Sequence, residues 1–316
     1  MDSSSQRPPF IRAIGSTTLD PSQHLHIVIR SLRMNTASMA DKVVLITGVS
    51  SGLGRELAQR LLAEGARVAG TVRGAEQVAE FERLAPGRAL GVLMDITQPD
   101  TVTVGVRRVV ERFGRIDVLA NNAGVGTVGA VEETTEADAQ QIFDVNFFGG
   151  LRLIHAVLPT MRRQRSGHIL QFSSIAGFAG YPGLGVYAAA KAATGVLGEA
   201  LAGELAPLGI HVTVLTIGIF ETQFAGRSLA YTSDRIDDYE GTPAGQFRGF
   251  IGQLQGKQPN VPEKGAKAIV DILKAEKPPV HFALGADAVG TMLSRAGSIE
   301  RDIRAWEAVS RSTQRD

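Results

Sequence analysis

Tyr187 and Lys191 stand four residues apart in a stretch with helical periodicity, so one helix face carries both a phenol and an ammonium. A free phenol titrates near about 10 and is a poor base at neutral pH. A cation a few ångströms away favours the phenolate and lowers that value. Lowering it by about three units takes roughly 4 kcal/mol of differential stabilisation, and a cation in a dry site contributes toward that. The spacing therefore predicts a tuned proton carrier. Ser174 lies thirteen residues before Tyr187, after an apolar run. Taken alone it reads as a turn residue beside Gly177, just as Asn146 alone reads as a cap near Gly149.

A second chemistry-bearing segment is Thr47-Gly48-Val49-Ser50-Ser51-Gly52-Leu53-Gly54, which follows an apolar run and opens a helical pattern. Glycines there let the backbone turn sharply and approach a pyrophosphate. The N–H groups at the helix start favour its negative charge. Gly48, Ser50, Ser51, Gly52, Leu53 and Gly54 are the expected contacts.

These groups need a scaffold, and the chain supplies an alternating one. Short apolar runs at 43–47, 67–72, 89–94, 116–120, 168–172 and 210–216 alternate with helical patterns at 53–64, 75–84, 99–113, 136–163 and 186–205. The fourth helical pattern is broken near Gly149 and Gly150. Such alternation indicates βαβ units, with strands buried on both faces and right-handed crossovers. The expected architecture is α/β: a doubly wound parallel sheet (Rossmann fold) in three α/β/α layers, forming a single domain over residues 41–316. Ligands belong at the carboxyl ends of its strands. Residues 219–260 have no firm period and read as a substrate loop or lid. A helix at 263–274, a strand at 280–284 and a polar helix at 286–311 complete the pattern.

The motifs occur in a fixed order. They are the TGxxxGxG turn, Asn121-Asn122-Ala123-Gly124 after the fourth strand, Asn146 on the next helix, Ser174 after the fifth strand, and Tyr187-Ala188-Ala189-Ala190-Lys191. This set resembles the short-chain dehydrogenase/reductase family over residues 41–284. The tail, including Leu284-Gly285-Ala286-Asp287 and the Trp306 region, resembles bacterial members similar to retinol and hydroxysteroid dehydrogenases. The resemblance implies roles. Tyr187 gives a proton to a carbonyl oxygen in reduction and recovers it in oxidation. Ser174 hydrogen-bonds that oxygen, Lys191 also holds the nicotinamide ribose, and Asn146 anchors a water that relays protons to Lys191. It places Asp95 and Ile96 at the adenine, with further cofactor contacts at Asn122, Ala123, Gly124, Gly218, Phe220 and Thr222. Asp95 also reads as a cap on the turn that Thr97 and Pro99 start. A tyrosine–lysine spacing of four rather than seven argues against enoyl reduction.

The second strand ends Gly70-Thr71-Val72 without an acid, and Arg73 follows. A carboxylate there would repel a 2′-phosphate, whereas a guanidinium grips one, so NADP(H) is expected over NAD(H). One position departs from the family pattern: Ile217-Gly218 replaces the usual Pro-Gly, which is expected to loosen that turn. Phe178, Tyr181, Phe220 and Phe224 flank the expected site and suit a small apolar carbonyl or alcohol substrate. A non-catalytic NADP-binding regulatory protein is the alternative. Ser174 argues against it, because binding alone does not need that hydroxyl.

Lysine plus arginine number 33 and aspartate plus glutamate 32 in 316 residues, a balance that gives no reason to expect nucleic acid or an anionic membrane as partner. There is no cysteine, which excludes disulfides, thiolate metal sites and a cysteine nucleophile. The six histidines, His24 and His26 among them, have no metal-ligand spacing, so no metal is expected. No apolar run of about 18 residues offers a bilayer span. Residues 1–40 carry Arg7, Arg12, Arg30 and Arg33 among many serines. They read as a flexible extension, with Met34 or Met39 as alternative starts. The expected compartment is the cytoplasm, with organelle targeting by residues 1–40 as the alternative. The patterns at 136–163 and 186–205 resemble those that pair between subunits in the family. A homodimer or homotetramer is therefore expected, and a monomer by light scattering at micromolar concentration would reject it.

Overall fold

The computed structural model describes residues 38–222, 228–254 and 256–315. The extension expected over residues 1–40, apart from its last three residues, lies outside them, as does Phe224. The described residues form one compact unit.

The chain runs β1 (Val43–Ile46), α1 (Gly52–Ala63), β2 (Arg67–Val72), α2 (Ala75–Glu82), β3 (Ala89–Leu93), α3 (Pro99–Phe113), β4 (Val118–Asn121) and β5 (Gly126–Val128). It continues through α4 (Glu136–Phe143), a π-helical segment (Asp144–Gly149), α5 (Gly150–Gln164), β6 (Gly167–Phe172), α6 (Ile175–Phe178) and α7 (Gly185–Leu205). Then come β7 (Ile210–Ile217), β8 (Leu229–Tyr231), α8 (Pro243–Gln253), α9 (Pro262–Leu273), β9 (His281–Leu284), α10 (Ala286–Ala305) and α11 (Glu307–Arg311).

The main sheet is parallel throughout, in the order β3-β2-β1-β4-β6-β7-β9. Alternate residues of a strand face opposite sides, and β1 shows the result. Val44 and Ile46 join one core with Leu57 and Leu61 of α1 and Ile269 of α9. Val43 and Leu45 join the other with Val106 and Val109 of α3, Val157 of α5 and Leu201 of α7. Helices thus cover both faces, giving the three-layer Rossmann architecture. The order reverses between β1 and β4, which opens a crevice at their carboxyl ends.

Three elements differ from the sequence expectation. Residues 219–260 contain structure: β8 pairs in parallel with β5, and α8 forms behind the Thr242 cap and Pro243. Three glycines lower the helix propensity of α8, so its start signal matters more than its interior. The polar helix expected over 286–311 breaks at Trp306 (φ −112°, ψ 9°). Finally, the run Glu136–Gln164 is, by length and composition, one helix of 29 residues apolar enough to cross a membrane. Its Leu153, Ile154, Val157 and Met161 are buried in the core on the sheet.

His168 lies at the start of β6, buried, with Nε2 2.9 Å from Thr213 Oγ1 and its ring edge-on to His211 at 5.8 Å. Burial pushes its pKa down to about 3, and the neighbouring His211 charge adds to the shift. The unfolded chain then binds this proton first. Stability is unaffected above the ordinary histidine value and falls as pH drops toward 3, by about 1.36 kcal/mol per unit. The variant His168→Gln, which cannot titrate, should lose roughly 2 kcal/mol less than the wild type between pH 7 and pH 5. Urea unfolding at the two pH values measures the difference, and equal losses would contradict the assignment.

Candidate active site

Tyr187 and Lys191 lie one turn apart on α7, both buried at 8% and 6% exposure. Lys191 Nζ sits 6.0 Å from the centre of the Tyr187 ring and donates to the Phe172 carbonyl at 2.8 Å, which ties α7 to the end of β6. The neighbouring Ser173 hydroxyl donates back to the Lys191 carbonyl at 2.8 Å, so Ser173 fastens the two elements together. Ser174, half-buried, caps α6 by accepting the Ala176 N–H at 3.1 Å. It also hydrogen-bonds the Tyr187 phenol. The cap reading and the chemical reading therefore hold for one hydroxyl.

Charge behaves differently from the sequence expectation. Burial pushes the Tyr187 phenol up to about 12, against the lowering effect of the Ser174 hydrogen bond. Burial also pulls Lys191 down to about 8. Desolvation penalises the charged form of each group, so the phenol is raised and not lowered in this dry setting. At neutral pH Tyr187 is a protonated acid.

Asn146 occupies the π-helical segment, whose wider turn was not visible in the sequence beyond the break at Gly149. Its side chain clamps Val125 from both ends: Oδ1 accepts the Val125 N–H at 3.1 Å and Nδ2 donates to the Val125 carbonyl at 2.7 Å. A side chain at Gly124 would lie 2.7 Å from Asn146 Oδ1 and 3.2 Å from Lys191 Nζ. Gly124 thus lies between Asn146 and Lys191.

The glycine turn faces this group across the crevice. Gly48 (φ +72°) and Gly52 (φ +60°) adopt left-handed backbone that other residues rarely take. Gly48 N–H donates to Thr71 Oγ1 at 3.1 Å. Asn122 Nδ2 donates to the carbonyls of Thr47 and Gly48 at 2.7 and 3.0 Å, so this side chain shapes the turn. Thr47, which the sequence reading passed over, accepts the N–H groups of Asn122 and Ala123 at 2.9 Å each.

One cavity of about 1400 Å3 joins the turn, Arg73, Asp95, Ser174, Tyr187 and Lys191. A family model described as short chain dehydrogenase matches residues 42–231. The chain belongs to the short-chain dehydrogenase family. Oxidoreductase BOA17 of Botryotinia fuckeliana (strain B05.10) is 35% identical over 270 residues, covering 85% of this chain and 98% of its own length. Retinol dehydrogenase 8 of Homo sapiens is 35% identical over 253 residues, covering 77% of this chain and 81% of its own. A crystal structure of a short-chain dehydrogenase from Streptomyces avermitilis matches with a TM-score of 0.81 at 38% identity, covering 87% of this chain and 98% of that one. This short-chain dehydrogenase is thus an oxidoreductase of the kind that acts on CH–OH or carbonyl groups.

The crevice of this short-chain dehydrogenase fits a nicotinamide dinucleotide. Ser50, Ser51, Gly52 and Leu53 line the cavity at the start of α1, and Ser51 makes no side-chain cap bond there. The helix start is thus open to an anion. Arg73 is exposed on the same edge, together with Glu76, and among the described residues it makes no ion pair. Asp95 lines the wall while its Oδ1 accepts from Thr97 N and Oγ1 at 2.9 and 2.7 Å, so it is both wall and turn cap. Ile96, Asn122, Ala123, Gly124, Gly218, Phe220 and Thr222 also line the cavity.

Two expectations are corrected here. Phe178 is outside this cavity: it borders a separate surface groove against Ile299 and Ile303 of α10. Phe247 and Phe250 of α8 line the cavity beside Tyr181 instead. The turn after β7 is also not loose. Asp287 Oδ2 accepts the Ile219 N–H at 2.7 Å, Asp287 Oδ1 accepts from Asn260 Nδ2 at 2.6 Å, and Gly218 N–H bonds the Leu284 carbonyl at 2.9 Å. A carboxylate from α10 supplies the rigidity that proline would give.

A methyl group at Gly54 would lie 2.3 Å from the Gly48 carbonyl and 2.4 Å from Asn122 Nδ2. The variant Gly54→Ala must displace the turn and should weaken binding of the reduced nicotinamide dinucleotide by at least about tenfold. Titration of nicotinamide fluorescence tests this, and wild-type affinity would refute it.

Proposed function

We propose that this short-chain dehydrogenase is an NADP(H)-dependent oxidoreductase that interconverts a ketone or aldehyde with an alcohol on a small, largely apolar molecule. The carrying observation is the convergence of Ser174, Tyr187 and Lys191 in the cavity that also holds the glycine turn and Arg73. A bound nicotinamide supplies or accepts the hydride. The residues of the chain do the rest. Tyr187, kept protonated by burial, donates to the substrate oxygen during reduction, and Ser174 steadies both the phenol and that oxygen. Lys191, anchored on the Phe172 carbonyl, holds the ribose and stands next in line for the proton.

Two features support NADP(H). The end of β2 offers a hydroxyl, Thr71, which is occupied with Gly48 N–H, in place of a ribose-binding carboxylate. Arg73 lies at the cavity edge with its guanidinium available to a 2′-phosphate. Tyr181, Leu184, Phe247, Phe250 and Ile251 give the other half of the cavity an apolar wall, which supports an apolar substrate. We propose further that the protein acts in the cytoplasm as a homodimer or homotetramer.

The test is loss of NADPH and NADH absorbance with a panel of aryl and alicyclic ketones. NADPH should be used preferentially, and Tyr187→Phe should lower kcat by about 10²–10⁴-fold with the fold intact. No turnover of any ketone, or full activity in Tyr187→Phe, would reject the proposal.

A further inference from the structure

The helix α8, which forms the apolar wall, carries a buried ion pair but buries little apolar surface of its own. Among the described residues of α8, Ala244 alone is buried, and Phe250 is 48% exposed. Arg248, in contrast, has a side chain only 9% exposed. Its Nη2 donates to Glu133 Oε2 at 2.5 Å, and Glu133 is 1% exposed. Arg248 Nη1 donates to Glu240 Oε1 at 3.0 Å.

Glu133 is itself fixed. Its Oε2 accepts the Ala130 N–H at 2.8 Å and its Oε1 accepts the Ile236 N–H at 3.0 Å. One carboxylate thus joins the turn after β5, the strand-to-helix connection before α8, and α8. Burial works to raise the Glu133 pKa, and the two N–H groups together with Arg248 outweigh it and keep the carboxyl below its ordinary value. Buried ion pairs add little net stability, yet removing one partner strands the other. They fix geometry better than they stabilise.

The fixed geometry reaches the chemistry. Phe247 precedes Arg248 and lies 6.4 Å from the Tyr181 ring, centre to centre. Tyr181 packs on the small cluster formed by Ala176, Tyr187 and Ala188. The backbone of Gly183, between Tyr181 and α8, leaves no slack: a side chain there would lie 3.2 Å from both the Ala244 carbonyl and Phe247 Cδ1. We infer that Arg248 is a positioning residue, whose pair with Glu133 sets the place of the Phe247–Ile251 wall and so selects which bulky apolar carbonyl compounds reach Ser174 and Tyr187. This rests on the oxidoreductase reading above.

The experiment uses the full chain, with benzophenone as the bulky ketone and cyclohexanone as the compact one, and hydrogen exchange over residues 243–253 as a readout free of activity. Arg248→Met should raise KM for the bulky ketone by about tenfold and leave kcat for the compact one within about twofold. Exchange in 243–253 should quicken. Arg248→Lys, which keeps the charge but not the fork, should restore part of both effects. Because Arg248→Met leaves a buried carboxylate alone and risks misfolding, the double variant Glu133→Gln with Arg248→Met, which buries no lone charge, should show the same pattern. Unchanged exchange in the double variant, or equal KM changes for the two ketones, would overturn the inference. Absence of any turnover in the wild type would instead overturn the oxidoreductase reading, and exchange over 243–253 would then judge the wall alone.

Discussion

The Thr47 hydroxyl joins the carboxyl ends of β1 and β4. It accepts two consecutive N–H groups, those of Asn122 and Ala123, while the Asn122 side chain returns two hydrogen bonds to the carbonyls of Thr47 and Gly48. The strand order reverses between β1 and β4, and sheets of this kind bind ligands in the crevice at that point. A reciprocal four-bond clasp bridges the two strand ends there. The glycine turn is hung from it on one side. On the other, Gly124 is delivered against Asn146 and Lys191. The glycine-turn end and the Tyr187–Lys191 end of one cavity therefore share a mechanical origin.

Desolvation governs what that cavity does with protons. Tyr187 and Lys191 are both shifted toward their neutral forms by burial. A phenol and an amine in water would differ little in pKa, with both about 10. In this setting burial drives them apart, with the phenol the weaker acid and the lysine the readier donor. A group of opposite charge arriving in the same dry space has a large effect, because little solvent remains to screen it. The site is thus responsive to the charge of what binds there.

Much of this was legible in the sequence, and the reasons are specific. β2 and α3 fall where period and punctuation place them, because Gly74 and Pro99 and Gly114 mark their ends. The closeness of Tyr187 and Lys191 was legible because residues one helical turn apart must share a face. Less legible was whatever depends on partners distant in sequence. The Glu133–Arg248 pair spans 115 positions and has no local signal. The sign of the Tyr187 shift depends on how much protein covers it, which spacing does not reveal. α8 was hidden by its glycines, although Thr242-Pro243 and the i, i+3, i+4 placement of Phe247, Phe250 and Ile251 were signals available to a closer reading. The π-helical widening at Asn146 leaves no compositional mark at all.

Asp287 belongs to the first turn of α10, beyond the last strand of the sheet, yet it governs the backbone at Ile219 beside the dinucleotide crevice. The closing helix is for that reason a keystone and not a tail. A chain cut after β9 would retain every described strand, every glycine of the first turn, and Ser174, Tyr187 and Lys191. It would lose the carboxylate that braces the turn after β7. Truncations and circular permutants that treat the sheet as the complete unit would remove that brace together with the contact between Thr291 and Tyr181.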